Sequence, residues 1–153
     1  MLKTRTGGFP IGFRRGGTEW QKEIGALIQW AKANDLACID LGKDADVAGK
    51  AVIDAGLRIG SVDLPNNKGM ISPDKATREA AVAENSRLIE KLAALGAINY
   101  FLVMLPEKPE LPRAENFGYM VESFRQLAPV LEGSQARLVV EGWPGPCTFC
   151  CTP

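Results

Sequence analysis

The chain has no histidine among its 153 residues, and this absence excludes more chemistry than any other feature of its composition. Imidazole is the side chain that titrates near neutrality. Without it there is no Ser-His-Asp triad, Cys-His pair, histidine-bearing zinc site or imidazole proton shuttle. Acids, bases and ligands must be carboxylates, lysines, tyrosines or thiols. Net charge is also missing: 18 basic side chains cancel 18 acidic ones, and the pI is about 6.3. Proteins that bind a phosphate backbone do so with clustered Lys and Arg, so nucleic acid is not expected as a partner. Long apolar runs are absent as well. The longest clean one, Tyr100 to Leu105, falls far short of the ~20 residues that span a bilayer. The basic segment Met1 to Gly8 has no apolar stretch behind it and does not read as a signal peptide. These features predict a soluble, cytoplasmic chain that makes no membrane contact. Gly7-Gly8 and Gly16-Gly17 form neither a GxGxxG nor a phosphate-cradling loop, so nucleotide binding has no support.

What is present is an ordinary globular composition, 46% apolar and 24% charged, at a length that suits one domain over residues 1–153. Short β-like runs alternate with segments of helical periodicity. The first run is Thr6 to Phe13. Thr18 and Gln21 then have the spacing of a capping box, and Trp20, Ile24, Leu27, Ile28 and Ala31 lie along one face of a single amphipathic helix. Leu36 to Leu41 is the second strand, and a small helix from Asp44 to Ala55 is stopped by Gly56. Leu57 to Leu64 is the third strand, with a polar loop through Pro65, Asn66, Asn67 and Gly69 after it. Ser72 is read as the cap of a helix whose first residue is Pro73 and whose buried stripe is Leu88, Leu92 and Leu95. Ala97 to Leu105 is the fourth strand. A fourth helix opens at Glu115 or Asn116, with Pro129 kinking or ending its last turn, and Ala136 to Glu141 is the fifth strand.

Five strands and four helices in strict alternation call for parallel strands joined by right-handed crossovers. Two architectures satisfy this order: a doubly wound sheet, and the first part of a (β/α)₈ barrel, which needs about 250 residues in full.

Chemistry is concentrated at the predicted strand ends. Three apolar residues, Leu138 to Val140, lead into Glu141, and Gly142, Trp143, Pro144 and Gly145 come at once as a loop. A carboxylate at a strand's C-terminal end can hold a divalent cation or move a proton, or can merely cap a neighbouring loop. Asp40 and Asp63 lie near the ends of the second and third strands, where they can hydrogen-bond substrate hydroxyls or cap the adjoining helix or loop. Trp143 can floor a sugar pocket or simply pack. Arg14 and Lys43 suit an anion or are solvated charges. Cys147, Cys150 and Cys151 crowd the last seven residues, but the Cys147-x-x-Cys150 spacing alone makes neither a redox helix nor a four-ligand zinc site. They are read as ordinary thiols, as is Cys38.

The pattern of Thr6 to Phe13, Ala37 to Gly42, Ser61 to Pro65 and above all Leu138 to Gly145 resembles the xylose isomerase-like TIM barrels. This superfamily includes sugar phosphate isomerases and epimerases, inosose dehydratases and the endonuclease IV type of DNA-repair enzyme. The resemblance implies a partial barrel that corresponds to the N-terminal part of the family's length. It implies metal-assisted isomerisation or epimerisation of a small sugar or cyclitol, with manganese, magnesium or zinc as the divalent metal. Glu141 falls on the position of a metal ligand and is the catalytic candidate; Asp40, Asp63 and Trp143 are the substrate-binding candidates. The later Asp, His and Glu ligands of the family have no counterpart here. Some epimerases carry an acidic residue six positions beyond the metal-binding Glu, where this chain has Cys147.

Two other readings arise from the same residues. A half-barrel would leave the edges of strands one and five unpaired and Ile39, Val62, Leu102, Val103 and Val139 on an uncovered interior face, which predicts a homo-oligomer and a non-catalytic, truncated or assembly role. An endonuclease IV-like DNA-repair activity is opposed by the missing histidines and the zero net charge.

Overall fold

The computed structural model describes residues 9–142. Trp143, Cys147, Cys150, Cys151 and the start of the first predicted strand lie outside the described residues. The elements run in the order β1 (Gly12–Arg14), α1 (Glu19–Lys22), α2 (Ile24–Ala33), β2 (Cys38–Leu41), α3 (Ala45–Asp54), β3 (Arg58–Asp63), α4 (Lys75–Leu92), β4 (Asn99–Val103), α5 (Arg113–Gly133) and β5 (Arg137–Glu141). Short 3₁₀ turns at Gly69–Ile71 and Ala93–Leu95 flank α4. The strands form one parallel sheet in the order β1-β2-β3-β4-β5, as a steady succession of right-handed crossovers requires. The backbone clusters into two compact units, residues 1–62 and 63–153.

In the first unit the face of β2 that carries Ile39 and Leu41 is buried, at 0% and 1% exposure. Leu27 and Ala31 of α2 and Ala45, Ala48 and Val52 of α3 complete this core. The opposite face is lined by small residues. A Cβ on Gly12 would collide with Cys38 Sγ and its carbonyl, and one on Gly60 with Asp40 Oδ1, so the side chains of Cys38 and Asp40 lie across glycine backbone on either side. Pairing of β2 with β3 is irregular. Ile39 sits opposite Ile59 but Leu41 opposite Val62, so β3 carries one more residue than β2 over that stretch. This bulge keeps Val62 on the buried face and turns Asp63 to the other. Gly56, at φ +79°, ends the turn after α3 in the left-handed region that glycine enters without strain.

The second unit is built on β4 and β5, whose register pairs Tyr100 with Leu138 and Val103 with Glu141. Tyr100, Leu102 and Met104 are at most 2% exposed, and they share the core with Ile89, Leu92 and Leu127 from α4 and α5 and with Met70 and Ile71 from the 3₁₀ turn. Burial pushes the Tyr100 phenol up to about 12. Because its folded value lies above the ordinary value near 10, the stability that Tyr100 contributes is intact below pH ~10 and is lost as pH rises through about 12. Alkaline titration monitored by circular dichroism should show unfolding in that window, and Tyr100→Phe should move it to higher pH. An unchanged transition in the variant would assign the alkaline loss to other groups.

Several local expectations need correction. The single first helix is two, because Glu23 leaves the helical region at φ −78°, ψ 96°. Thr18 spends its hydroxyl on the Gln21 side chain rather than on a backbone amide, so the capping box does not close. Asp74, not Ser72, caps α4; its carboxylate accepts from the Thr77 amide at 2.8 Å and hydroxyl at 2.6 Å. These bonds hold the Asp74 carboxyl below its ordinary range. The buried stripe of α4 is Arg78, Ala81, Val82, Asn85, Ile89 and Leu92, while Leu88 and Leu95 are half-buried. Helix α5 starts at Arg113 and passes through Pro129 to Gly133. Ile39, Val62 and Leu102, expected on an uncovered interior face, are at most 1% exposed and belong to the core of their own units.

Candidate functional site

Parallel α/β sheets place their chemistry at the C-terminal ends of the strands, where rigid backbone meets open loops. In the first unit these ends are tied together. The Arg15 amide, one residue past β1, donates to the Asp40 carbonyl at 3.0 Å. Asp40 is half-buried between the buried Ile39 and Leu41 and projects to the opposite, glycine-lined face. Cys38, two residues back on that face, is a free thiol. Burial raises its pKa, the Asp40 charge adds to the effect, and Arg58 opposes it. The thiol is therefore protonated at neutral pH and unsuited to nucleophilic work. Arg14 and Lys43 are both exposed.

In the second unit β3 ends in Asp63, half-buried, and the chain continues into a loop held by side chains. Leu64 N–H donates to the Phe101 carbonyl at 3.2 Å. Asn85, fully buried on α4, grips Asn66 at both backbone groups, accepting from its N–H at 3.1 Å and donating to its carbonyl at 3.0 Å. The Asn66 side chain accepts from Gly69 N–H at 3.0 Å and donates to Glu84 at 2.8 Å. Thus fixed, the loop brings Asn67 Nδ2 to 2.9 Å from the carbonyl of Val103. Val103 is the register partner of Glu141, so the Asn67 tether ends beside the last residue of β5. Glu141 is half-buried and shares its face with Val103, Phe101 and Val139, opposite Leu102 and Val140.

The sequence candidates thus sit at strand ends in the described residues: Asp40 in the first unit, Asp63 and Glu141 in the second. Trp143 lies outside the described residues. Sequence reasoning treated Asn66 and Asn67 as turn residues and missed their tethering role. It could have found Asn85, because an amide at helical spacing with the apolar Ala81, Ile89 and Leu92 demands a buried partner.

The carboxylate of Glu141 is a hard oxygen donor of the kind magnesium and manganese take. Among the described residues, however, no three His, Cys, Asp or Glu side chains cluster as a metal site. Glu141 is one ligand and does not by itself make a metal centre. Among the described residues no helix is long and apolar enough to cross a membrane.

A family model, the xylose isomerase-like TIM barrel, matches residues 25–153. The chain belongs to this family. No curated protein matches the sequence. Among solved structures, 3-keto-D-glucoside 4-epimerase from E. coli is similar at a TM-score of 0.70 and 13% identity, over 86% of this chain and 55% of the other. L-ribulose 3-epimerase gives a TM-score of 0.68 at 17% identity, over 86% and 48%. A xylose isomerase-like TIM barrel protein from Mycobacterium smegmatis, solved in complex with magnesium, gives 0.51 at 16%, over 87% and 55%. The family member described here spans about half the length of the solved structures it matches.

Proposed function

We propose that this xylose isomerase-like chain contributes to isomerisation or epimerisation of a small sugar or cyclitol, with Glu141 as a ligand of a divalent metal and as a carboxylate able to hold or move a proton. The observation that carries the reading is the position of Glu141. It is a half-buried carboxylate at the C-terminal end of a parallel strand, on the face opposite the core, beside a strand end that Asn67 pins. When bound, a divalent metal supplies polarisation of a substrate carbonyl and its neighbouring hydroxyl. The carboxylates of the second unit do the rest: Asp63 accepts hydrogen bonds from hydroxyls, and Glu141 exchanges the proton next to the carbonyl. Trp143, immediately beyond Gly142, offers an apolar face for a sugar ring.

Calorimetric titration of the chain with manganese tests this. One carboxylate gives weak binding, and Glu141→Gln should weaken it further by roughly tenfold or more without altering the melting transition. Micromolar affinity lost in Glu141→Gln would mean that other residues complete the site. Binding unaffected by Glu141→Gln would remove the residue from the metal and sink the reading.

One observation favours a second, non-catalytic reading: Val139 is 42% exposed on β5, on the same face as Phe101. An apolar side chain in that setting suits cover by further protein, including another copy of the chain. Sedimentation at micromolar concentration separates the two. A monomer that binds manganese through Glu141 supports the enzyme reading, and a stable homo-oligomer indifferent to Glu141→Gln supports the assembly reading.

A further inference from the structure

The first unit contains a helix that its core does not hold. None of the four residues of α1, Glu19–Lys22, is buried. A single turn cannot sustain itself, because nucleating a helix costs more than one turn of hydrogen bonds returns. Gln21 and Lys22 amides both turn back to the Thr18 carbonyl, at 3.0 and 3.3 Å, and Glu23 then breaks the chain before α2. On the other side, Gly16-Gly17 joins α1 to the end of β1.

What holds α1 is largely one guanidinium. Arg15 Nε donates to the Gln21 carbonyl at 2.8 Å and Nη2 to the Lys22 carbonyl at 2.7 Å. These are carbonyls at the end of the turn, which have no partner within it and which favour a cation. The third arm, Nη1, reaches Asp44 Oδ2 at 2.6 Å, at the N-cap of α3. Arg15 is only 11% exposed and Asp44 is 53% exposed. Beyond this clasp, Trp20 leans on Trp30 of α2, ring centroids 5.5 Å apart and planes at 59°, and both rings remain more than 40% exposed.

We propose that α1 is a hinged flap, with Gly16-Gly17 and Glu23 as its hinges and the Arg15–Asp44 pair as its clasp. Each part has the property this needs. Glycines on one side and a non-helical residue on the other let the backbone rotate without disturbing β1 or α2. A clasp anchored in a half-exposed carboxylate competes with water, so its release costs far less than unfolding the unit. The Arg15 amide donates to the Asp40 carbonyl, so the flap is anchored beside the strand end that carries Asp40. Opening separates Trp20 from Trp30. The inference rests on the geometry of the first unit and stands apart from the sugar reading.

Hydrogen exchange on the full chain, resolved by mass spectrometry, provides the test. Amides of Gln21 and Lys22 should exchange faster than those of Leu27 to Ala33. In Arg15→Lys and in Asp44→Asn they should speed up by about fivefold or more, with α2 unchanged and the melting transition retained. Tryptophan emission should shift to longer wavelength in both variants as Trp20 leaves Trp30. Should Arg15→Lys fail to fold, Asp44→Asn decides alone, since that carboxylate is half exposed and gives its side chain to no helix amide. Exchange at Gln21 and Lys22 that is unmoved by the substitutions, or that rises together with exchange throughout α2, would overturn the proposal.

Discussion

Arg78→Ala should lower the unfolding free energy of the second unit by about 2–4 kcal/mol. Arg78 is 5% exposed and lies on the buried stripe of α4. Its Nη1 donates to the carbonyls of Ser72 and Pro73 at 2.8 and 3.1 Å, and Nη2 pairs with Glu122 on α5 at 2.7 Å. The guanidinium also lies 4.6 Å from the centre of the Tyr119 ring. One side chain therefore fastens the segment before α4 to both α4 and α5, and beside it Ser123 Oγ donates to the Met70 carbonyl at 2.7 Å. Alanine strands the Ser72 carbonyl in a residue only 2% exposed and opens a void where the aliphatic stem lay. Glu122→Ala should cost less, because Arg78 keeps its two carbonyls and Glu122 is already 42% exposed. Urea denaturation of both variants measures the ordering. A loss below ~1 kcal/mol for Arg78→Ala, or a larger one for Glu122→Ala, would show that the fastening is incidental.

Asn85→Leu should come close behind, at about 2–3 kcal/mol, although it barely changes side-chain volume. The amide sits at 0% exposure and answers both the donor and the acceptor of Asn66. Leucine leaves both backbone groups without their partner, a loss that no gain in apolar area at an already buried position offsets. The same substitution releases the loop that carries Asn67 to the Val103 carbonyl, so the Asn66 amide should exchange with solvent faster than its neighbours in α4. Retained stability together with a protected Asn66 amide would refute this account.

The strand order and the parallel pairing were legible because alternating apolar runs and helical periods leave few ways to connect five strands. Faces were not. A parallel strand buried on one side and lined by small residues on the other reads as a continuous apolar run, so Ile39, Val62 and Leu102 could be assigned to either side. In the structure each of the three joins helix residues in the core of its own unit, and it is Val103, Val139 and Glu141 that turn away. The break at Glu23 was hidden for a different reason: Trp20 continues the apolar spacing of α2, yet it is exposed and packs on an aromatic neighbour rather than in the core. Pro129 illustrates tertiary context overriding a local breaker, since α5 runs on to Gly133 with Leu127 fully buried just before it. Of the candidate site, the strand-end carboxylates were visible as residues that lead directly into loop chemistry. The asparagines that fix the loop were not, because the same residue type marks an ordinary solvated turn.

The extra residue in β3 has a genetic corollary. Side chains alternate faces along a strand, so three positions from Ile59 would ordinarily carry Val62 to the far face, and the extra residue is what returns it to the core with Leu41 while Asp63 faces away. An in-frame loss of the codon for Gly60 or for Ser61 would remove that extra residue and make the step from Ile59 to the former Val62 two positions. If pairing at Ile59 were kept, the former Val62 would still face the core with Leu41, now in regular register. The two losses differ in what they place beside Asp40, whose Oδ1 lies where a Cβ on Gly60 would be. Loss of Ser61 leaves the glycine there, whereas loss of Gly60 brings the Ser61 side chain against the carboxylate. A lineage carrying this sheet should therefore tolerate loss of Ser61 better than loss of Gly60.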